Sequence, residues 1–231
     1  MIYIDTETTG LSSTDRIIQF AWITEIDTET QKHHNYYIST DVEIKNSHIH
    51  GITNNICMEQ GKNLEDVLDI FFQEIHDNNI NILIGHNINF DRNMLINNMR
   101  AINYQCPNNI ILLENMNTYC TMINGKFLMK QRKYPKLIEL YRFLFNNEFE
   151  NAHDAMNDII ATYQCHKELL KEKDNIYRYI MDQIITFGKY KGKTFEHVYT
   201  KDRRYLTDFV YTKIDKNRDI WLWTEYMMKN L

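Results

Sequence analysis

Apolar residues recur with two periods along this chain. Residues 2–7 (IYIDTE) and 17–26 (IIQFAWITEI) read as strands, and HHNYYIS at 33–39 alternates around Tyr36 and Ile38. From Leu64 to His76, apolar side chains at 64, 67, 68, 71, 72 and 75 mark one face of a helix. A short apolar strand over Ile80 to Ile84 then runs into Gly85, His86 and Asn87, and a helical period resumes from Phe90 to Ile102. A strand is expected within 109–122, with helices near 135–146 and 154–171. Residues 46–51 (NSHIHG) read as a short capped turn, and the asparagine-rich patches at 78–81 and 108–109 read as turns. A strand meander followed by strands that run into helices predicts an α/β fold: a mixed sheet flanked by helices.

Beyond residue 173 the pattern weakens, and a different segment begins near 184. Residues 185–195 (ITFGKYKGKTF) predict a small hairpin, followed by helical stretches near 202–212 and 217–229. Two parts are therefore expected, a domain over 1–175 and a small module over 184–231. Charge sharpens this division. The chain has a net charge of −5, yet residues 184–231 carry 10 Lys and Arg against 6 Asp and Glu, so the excess of acid lies in the remainder. A basic module can meet a polyanion, or it can simply be solvated.

The opening strand holds a local conflict. Strand side chains alternate, so Asp5 and Glu7 share a face while Ile2, Ile4 and Thr6 take the other. Two like charges side by side at the end of a core strand repel and need compensation. Candidates lie further along. Asp91 follows GHNINF in the first turn of a helix, and Asp158 sits one turn into the helix that starts near residues 152–154. Ligands collect at strand ends and adjacent helix starts in open sheets, although an acid in a first turn can also simply answer the helix dipole. His153 is five residues before Asp158, about 500° of helical turn. It therefore belongs in the turn before the helix, from which it can swing towards the site.

Composition excludes several classes. The chain of 231 residues is 43% hydrophobic and 25% charged, and its apolar runs fall short of a membrane span. No signal peptide is expected, because the first residues already read as a strand. A soluble intracellular protein, cytoplasmic or nuclear and with no membrane partner, is predicted. Cys57, Cys106, Cys120 and Cys165 are widely spaced without a CxxC pair, so free core thiols are expected rather than a zinc site or disulfides. The abundance of Asn (26) and Ile (31) against 2 Pro reads as coding bias.

In combination these motifs are recognisable. DTETTG at 5–10, GHNINFD at 85–91 and AHDAMND at 152–158 resemble the DEDDh (DnaQ-like) family of 3′→5′ exonucleases, and HGIT at 50–53 resembles that family's turn. The resemblance covers about residues 1–170. The sister type has a tyrosine four residues before the last Asp; here Asp154 stands there, so His153 implies the histidine type. The resemblance implies a ribonuclease H-like sheet and two divalent ions, Mg²⁺ or Mn²⁺. Asp5, Glu7 and Asp158 would hold one, Asp5 would bridge to the second, and Asp91 would complete the site. His153 would be the general base on water. Asp154 would either tune His153 or cap the helix. Thr6, Thr8 and Thr9 would meet the terminal nucleotide, Leu11 would lie against a base, and Asn87 and Phe90 would position the strand end, unless Phe90 is plain core. Clustered carboxylates are tolerable when dications offset them.

The implied substrate is DNA, cut to nucleoside 5′-monophosphates, with a polymerase or repair protein as a possible partner. An exoribonuclease and a non-catalytic nucleic-acid-binding protein are the alternatives. Residues 188–194 (GKYKGKT) imitate a phosphate-binding P-loop but have three residues between the glycines instead of four, and no clear helix pattern follows. Residues 185–212 instead resemble the C-terminal module of exodeoxyribonuclease X-like proteins. There Lys189, Lys191, Lys193, Arg203 and Arg204 can contact phosphates, and Tyr190 either stacks on a base or packs the hairpin. The basic run from Lys126 to Lys136 either flanks the site or is a solvated loop. A clamp-binding peptide is only faintly suggested at 183–187, where the hairpin is expected to start.

Overall fold

The computed structural model describes residues 1–27, 30–147, 154–216 and 218–230, with side chains through Met228. The chain divides into two compact units, one formed by 1–125 and 133–168, the other by 126–132 and 169–231.

The first unit is built on a five-stranded sheet. Its strands are β1 (Ile2–Thr8), β2 (Ile17–Glu25), β3 (Gln31–Tyr37), β4 (Ile82–Gly85) and β5 (Asn117–Cys120), in the order β3-β2-β1-β4-β5. The meander β1-β2-β3 is antiparallel, while β4 joins β1 and β5 joins β4 in parallel. This is the mixed sheet that the sequence predicts. Every residue of β2 is buried, which explains why its sequence reads as a continuous apolar run rather than an alternation.

The first unit's helices are α1 (Ser47–His50), α2 (Asn54–Gln60), α3 (Leu64–Asp77), α4 (Ile88–Ala101), α5 (Pro107–Asn115), α6 (Thr121–Leu128), α7 (Leu137–Phe145) and α8 (Ala155–Lys171); α6 and α8 each continue into the second unit. Val67, Leu68, Phe71, Phe72 and Ile75 of α3, Met94, Leu95 and Met99 of α4, and Ala155 and Ile159 of α8 join one core with Tyr3, Phe20 and Trp22. Each fully buried large side chain contributes roughly 1.5–3 kcal/mol of transfer free energy.

Several local expectations need correction. The strand expected within 109–122 is present as Asn117–Cys120, but it is short, and 109–115 belong to helix α5. Pro107 stands at the first turn of α5, where its missing N–H costs nothing, so Asn108 and Asn109 are helical rather than a turn. Helix α2 carries one buried residue, Cys57, too few to leave a periodic trace. Cys106 is exposed, unlike the three buried cysteines.

The second unit contains α9 (Lys173–Met181), where the sequence pattern weakens, then a 3₁₀ turn at Gly188–Tyr190. Helices α10 (Phe195–Lys201), α11 (Tyr211–Lys213) and α12 (Asp219–Asn230) follow, with a π-helical turn over Tyr205–Val210. Ile184 and Thr194 form a single antiparallel bridge, and the Ile185 N–H donates to the Lys193 carbonyl at 2.9 Å. Ile185 is buried, so 183–187 is folded into the module rather than displayed as a peptide. A helix does follow Thr194, whose hydroxyl caps it by accepting from the His197 N–H at 3.1 Å. Among the described residues, no helix is long and apolar enough to cross a membrane.

Candidate active site

The end of β1 is shaped by its neighbour. Ile4, Thr6 and Thr8 are buried, whereas Asp5 and Glu7 keep partial exposure, as alternation requires. Asp5 pairs with Ala21 and Glu7 with Gln19 on β2. Directly paired residues share a face, so the two acids look onto a methyl group and an amide. The register shifts between Glu7 and Thr8, a bulge that ends the regular pairing beside the acids.

Helix α8 brings the third carboxylate. Asp154 caps it, with Oδ1 accepting from the Met156 and Asn157 N–H groups, both at 3.1 Å. One turn on is Asp158, and carboxylate oxygens of Asp5, Glu7 and Asp158 all lie within 4.8 Å of one another. The sequence reading missed Gln19 as a contributor. Its Oε1 accepts from the Ala155 N–H at 3.4 Å and its Nε2 donates to Asn35 at 2.9 Å, which ties the start of α8 to strands β2 and β3. The signal was present: Gln19 is the only amide in the apolar run IIQFAWI.

Asp91 enters from the first turn of α4. It is 3% exposed and accepts from both the backbone N–H of Thr6 at 3.0 Å and the Thr6 hydroxyl at 2.8 Å. Both donors of Thr6 are thereby committed to Asp91. The preceding Asn87 adopts the left-handed conformation (φ 67°), which Asn tolerates better than most residues. Phe90 packs against the core while keeping partial exposure.

The β1–β2 hairpin carries the remaining predicted contacts. The Thr8 hydroxyl donates to the Gly10 carbonyl at 2.6 Å, and Thr9 Oγ1 donates to Asp15 at 3.1 Å while accepting from the Arg16 N–H. A Cβ on Gly10 would stand 2.6 Å from Asp15 Oδ2, so the glycine of DTETTG admits the Asp15 carboxylate. Leu11 stands 87% exposed at the tip.

His86 is a second residue that the sequence reading passed over. Its Nε2 lies 3.1 Å from the Pro135 carbonyl, an acceptor only, so this nitrogen carries the proton and Nδ1 accepts from the Thr121 hydroxyl at 3.0 Å. Burial pushes the imidazole down to about 4, so it stays neutral at pH 7. It joins the turn before α4 to the segment leading into α7. The predicted base, His153, lies outside the described residues.

In the second unit, Lys191, Lys193, Arg203 and Arg204 are exposed. Lys189 Nζ and the Tyr190 hydroxyl both donate to Asp202 Oδ2, at 3.0 and 2.7 Å. The Tyr190 ring meets Tyr205 edge-on at 5.0 Å. Of the two roles open to Tyr190, packing accounts for these contacts.

Burial drives the electrostatics of the carboxylates. It lifts Asp5 well above the usual carboxylate range, with Asp91, Asp158, Glu7 and Asp154 adding repulsion in that order. Glu7 is pushed up to about 8, first by burial and then by Asp158, Asp91 and Asp154. Asp91 reaches about 7 through burial, against the opposing donors of Thr6. An all-oxygen cluster of crowded acids fits a hard divalent cation such as Mg²⁺ or Mn²⁺.

A pH dependence follows. Without cations, the folded chain holds protons on Glu7 up to about pH 8, whereas the unfolded chain releases them near 4.5. The folded state therefore binds more protons in that window, and stability falls as pH rises through it. A tenfold difference in proton affinity between the two states is worth about 1.4 kcal/mol. For a chain of this size that is roughly 3–6 °C in Tm. Thermal scans with a chelator should show Tm falling from pH 5 to pH 8, and Mn²⁺ or Glu7→Gln should flatten the fall. A Tm that rises with pH in chelator would contradict this assignment.

An exonuclease family model matches residues 2–165. The DNA polymerase III subunit epsilon of Rickettsia conorii is 26% identical over 78% of this chain and 77% of its own length. A chloroplastic/mitochondrial exonuclease of Arabidopsis thaliana is 27% identical over 73% of this chain, which spans 55% of that protein. Among solved structures, exonuclease I of E. coli, in its zinc-bound complex with single-stranded DNA, superposes with a TM-score of 0.58 at 21% identity. That match covers 78% of this chain but only 42% of exonuclease I. Exonuclease X, in complex with 5′-overhanging duplex DNA, gives 0.53 at 21% identity over 75% of this chain and 92% of its own. The ribonuclease H-like sheet is common to them, and with the family model spanning most of the chain, this protein belongs to the DnaQ-like exonuclease family.

Proposed function

We propose that this chain is a divalent-metal-dependent 3′→5′ exonuclease that acts on DNA and releases nucleoside 5′-monophosphates. The observation that carries it is the convergence of Asp5, Glu7 and Asp158 within 4.8 Å, next to a buried Asp91 anchored on Thr6. Asp5, Glu7 and Asp158 would hold one Mg²⁺ or Mn²⁺, Asp5 would be shared with a second, and Asp91 would complete the set. Bound there, the ions would supply Lewis-acid stabilisation of charge on the phosphoryl group and on the attacking and leaving oxygens.

The rest of the work falls to side chains. Leu11, exposed at the hairpin tip, would lie against the terminal base. Thr8 and Thr9 hold the hairpin backbone against which that nucleotide would sit, and Asn87 and Phe90 would guide the strand end. His153 would take the proton of the attacking water as the bond from phosphorus to the 3′-oxygen breaks. The products are a nucleoside 5′-monophosphate and a strand one residue shorter, ending in a 3′-hydroxyl.

The choice of DNA rests on the polymerase subunit among the relatives and on the DNA held by the solved neighbours. The same relative supports a polymerase or repair protein as partner. The exposed cations of the second unit, Lys191, Lys193, Arg203 and Arg204, would add phosphate contacts and a salt-dependent affinity. A panel of single-stranded, duplex and mismatched DNA with matched RNA, labelled at the 5′ end and incubated with Mg²⁺ or Mn²⁺, tests the reading. A ladder shortened from the 3′ end on DNA is expected. A strong preference for RNA would reassign the substrate, and cutting from the 5′ end would refute the polarity.

A further inference from the structure

The second unit has a notch of about 290 Å³ lined by Ile184, Ile185, Thr186, Phe187, Arg218, Asp219, Ile220 and Trp223. Its floor is apolar, with Ile185, Ile220 and Trp223 nearly buried. At the rim the Arg218 guanidinium lies over the Phe187 ring, 4.9 Å from its centroid. Ile184, also lining the notch, is 50% exposed. Arg218 has no carboxylate partner among the described residues, so its donors are not consumed by a salt bridge. Asp219, by contrast, is neutralised by Lys126, whose Nζ lies 2.7 Å from Oδ1.

Asp219 also begins α12, a helix of 12 residues, and Arg218 immediately precedes it. The first N–H groups of such a helix favour a negative charge beside them. The segment 184–231 is basic, with 10 Lys and Arg against 6 Asp and Glu, and Lys191, Lys193 and Lys216 are exposed within it. Tyr190, the aromatic residue that the sequence offered for stacking, is tied to Asp202 and Tyr205. At the notch itself the aromatic rings are those of Phe187, partly exposed at the rim, and Trp223, of which only an edge is exposed.

We infer that this notch receives one nucleobase of a single strand, stacked on Phe187 and against Trp223, with the adjoining phosphate on Arg218. The chemistry matches on each count. An aromatic face and a guanidinium plane accept any base without reading its sequence, and Arg218 in the lining, within a basic segment, matches the backbone charge. The inference deepens the nuclease reading, because it rests on this chain handling nucleic acid, and it assigns the module a strand-gripping role distinct from phosphodiester cleavage.

The test uses the full chain carrying Asp5→Asn, so that the probe is bound without being cut. The probe is a fluorescent single-stranded dT oligonucleotide, titrated at several salt concentrations. Phe187→Leu, which keeps an apolar side chain at the rim but removes the ring, should weaken binding roughly tenfold, and Phe187→Trp should restore it. Arg218→Gln should lower the slope of log Kd against log salt by about 0.7. Trp223 should report the bound base, so oligonucleotide should quench emission and Trp223→Phe should remove that part of the signal.

Unchanged affinity in Phe187→Leu together with an unchanged slope in Arg218→Gln would overturn the inference. So would quenching by a phenylalanine-containing peptide but not by the oligonucleotide, which would assign the notch to a protein partner. The two readings fail separately: a chain with Asp5 intact that cuts no oligonucleotide would sink the nuclease reading, whereas indifferent notch variants of a cutting enzyme would sink only this one.

Discussion

Asp5→Asn is expected to abolish metal-dependent hydrolysis of DNA while leaving the fold in place. Asp5 is the acid most crowded by others: beyond its burial, Asp91, Asp158, Glu7 and Asp154 all raise its proton affinity. It is also the one proposed to be shared by both cations. Lewis-acid stabilisation of this kind is worth several kcal/mol in the transition state, and each 1.36 kcal/mol is about tenfold in rate. Turnover should therefore drop by about 10³-fold or more. The fold should survive because Asp5 faces Ala21 across the strand pair and removal of one charge relieves repulsion. The chelated variant should melt above the chelated parent at pH 8. Turnover within twofold of the parent would refute the assignment of Asp5, and a melting temperature well below the parent would give it a structural role instead.

His153→Ala is expected to lower kcat by about 10²–10⁴-fold, the usual contribution of a positioned general base, with a much smaller change in KM. Placement carries the argument. Asp154 is the N-cap of α8, so residue 153 immediately precedes the cap, and Asp158 follows one turn later in the carboxylate cluster. A variant that keeps kcat and loses only affinity would make His153 a substrate-binding residue. His86 provides the internal contrast: it is buried, neutral and held by Thr121 and Pro135, and so is unsuited to carrying protons between water and substrate.

Two of the elements most legible in the sequence, α3 and β2, each keep a single environment along their length. Helix α3 buries one stripe, from Leu64 to Ile75, and its period was unmistakable. Strand β2 is buried on both faces and read as an apolar run. Segments that bury few apolar residues, or bury them among charged ones, were not legible. Helix α2 buries only Cys57, and α5 buries Asn109 and Leu113 within a segment whose apolar residues also suited a strand. Helix α9 buries Ile176, Ile180 and Met181 among charged residues, so its period was diluted.

The same distinction divides the site. By itself the sequence determined that Asp5 and Glu7 share a face, because strand geometry imposes a period of two on any residues. It also placed Asp91 and Asp158 in first helical turns, because the residues before them break the preceding elements. Tertiary structure alone decided what holds these acids in register. Thr6 gives both its donors to Asp91, 85 positions away, and Gln19 accepts from Ala155 across 136 positions. Tyr190 turned inward to Asp202, while Phe187 came to lie under the Arg218 guanidinium. Such partners are chosen by where the packed sheet and helices bring buried donors and acceptors within hydrogen-bonding distance, where leaving them unpaired would be costly. No local periodicity encodes that choice.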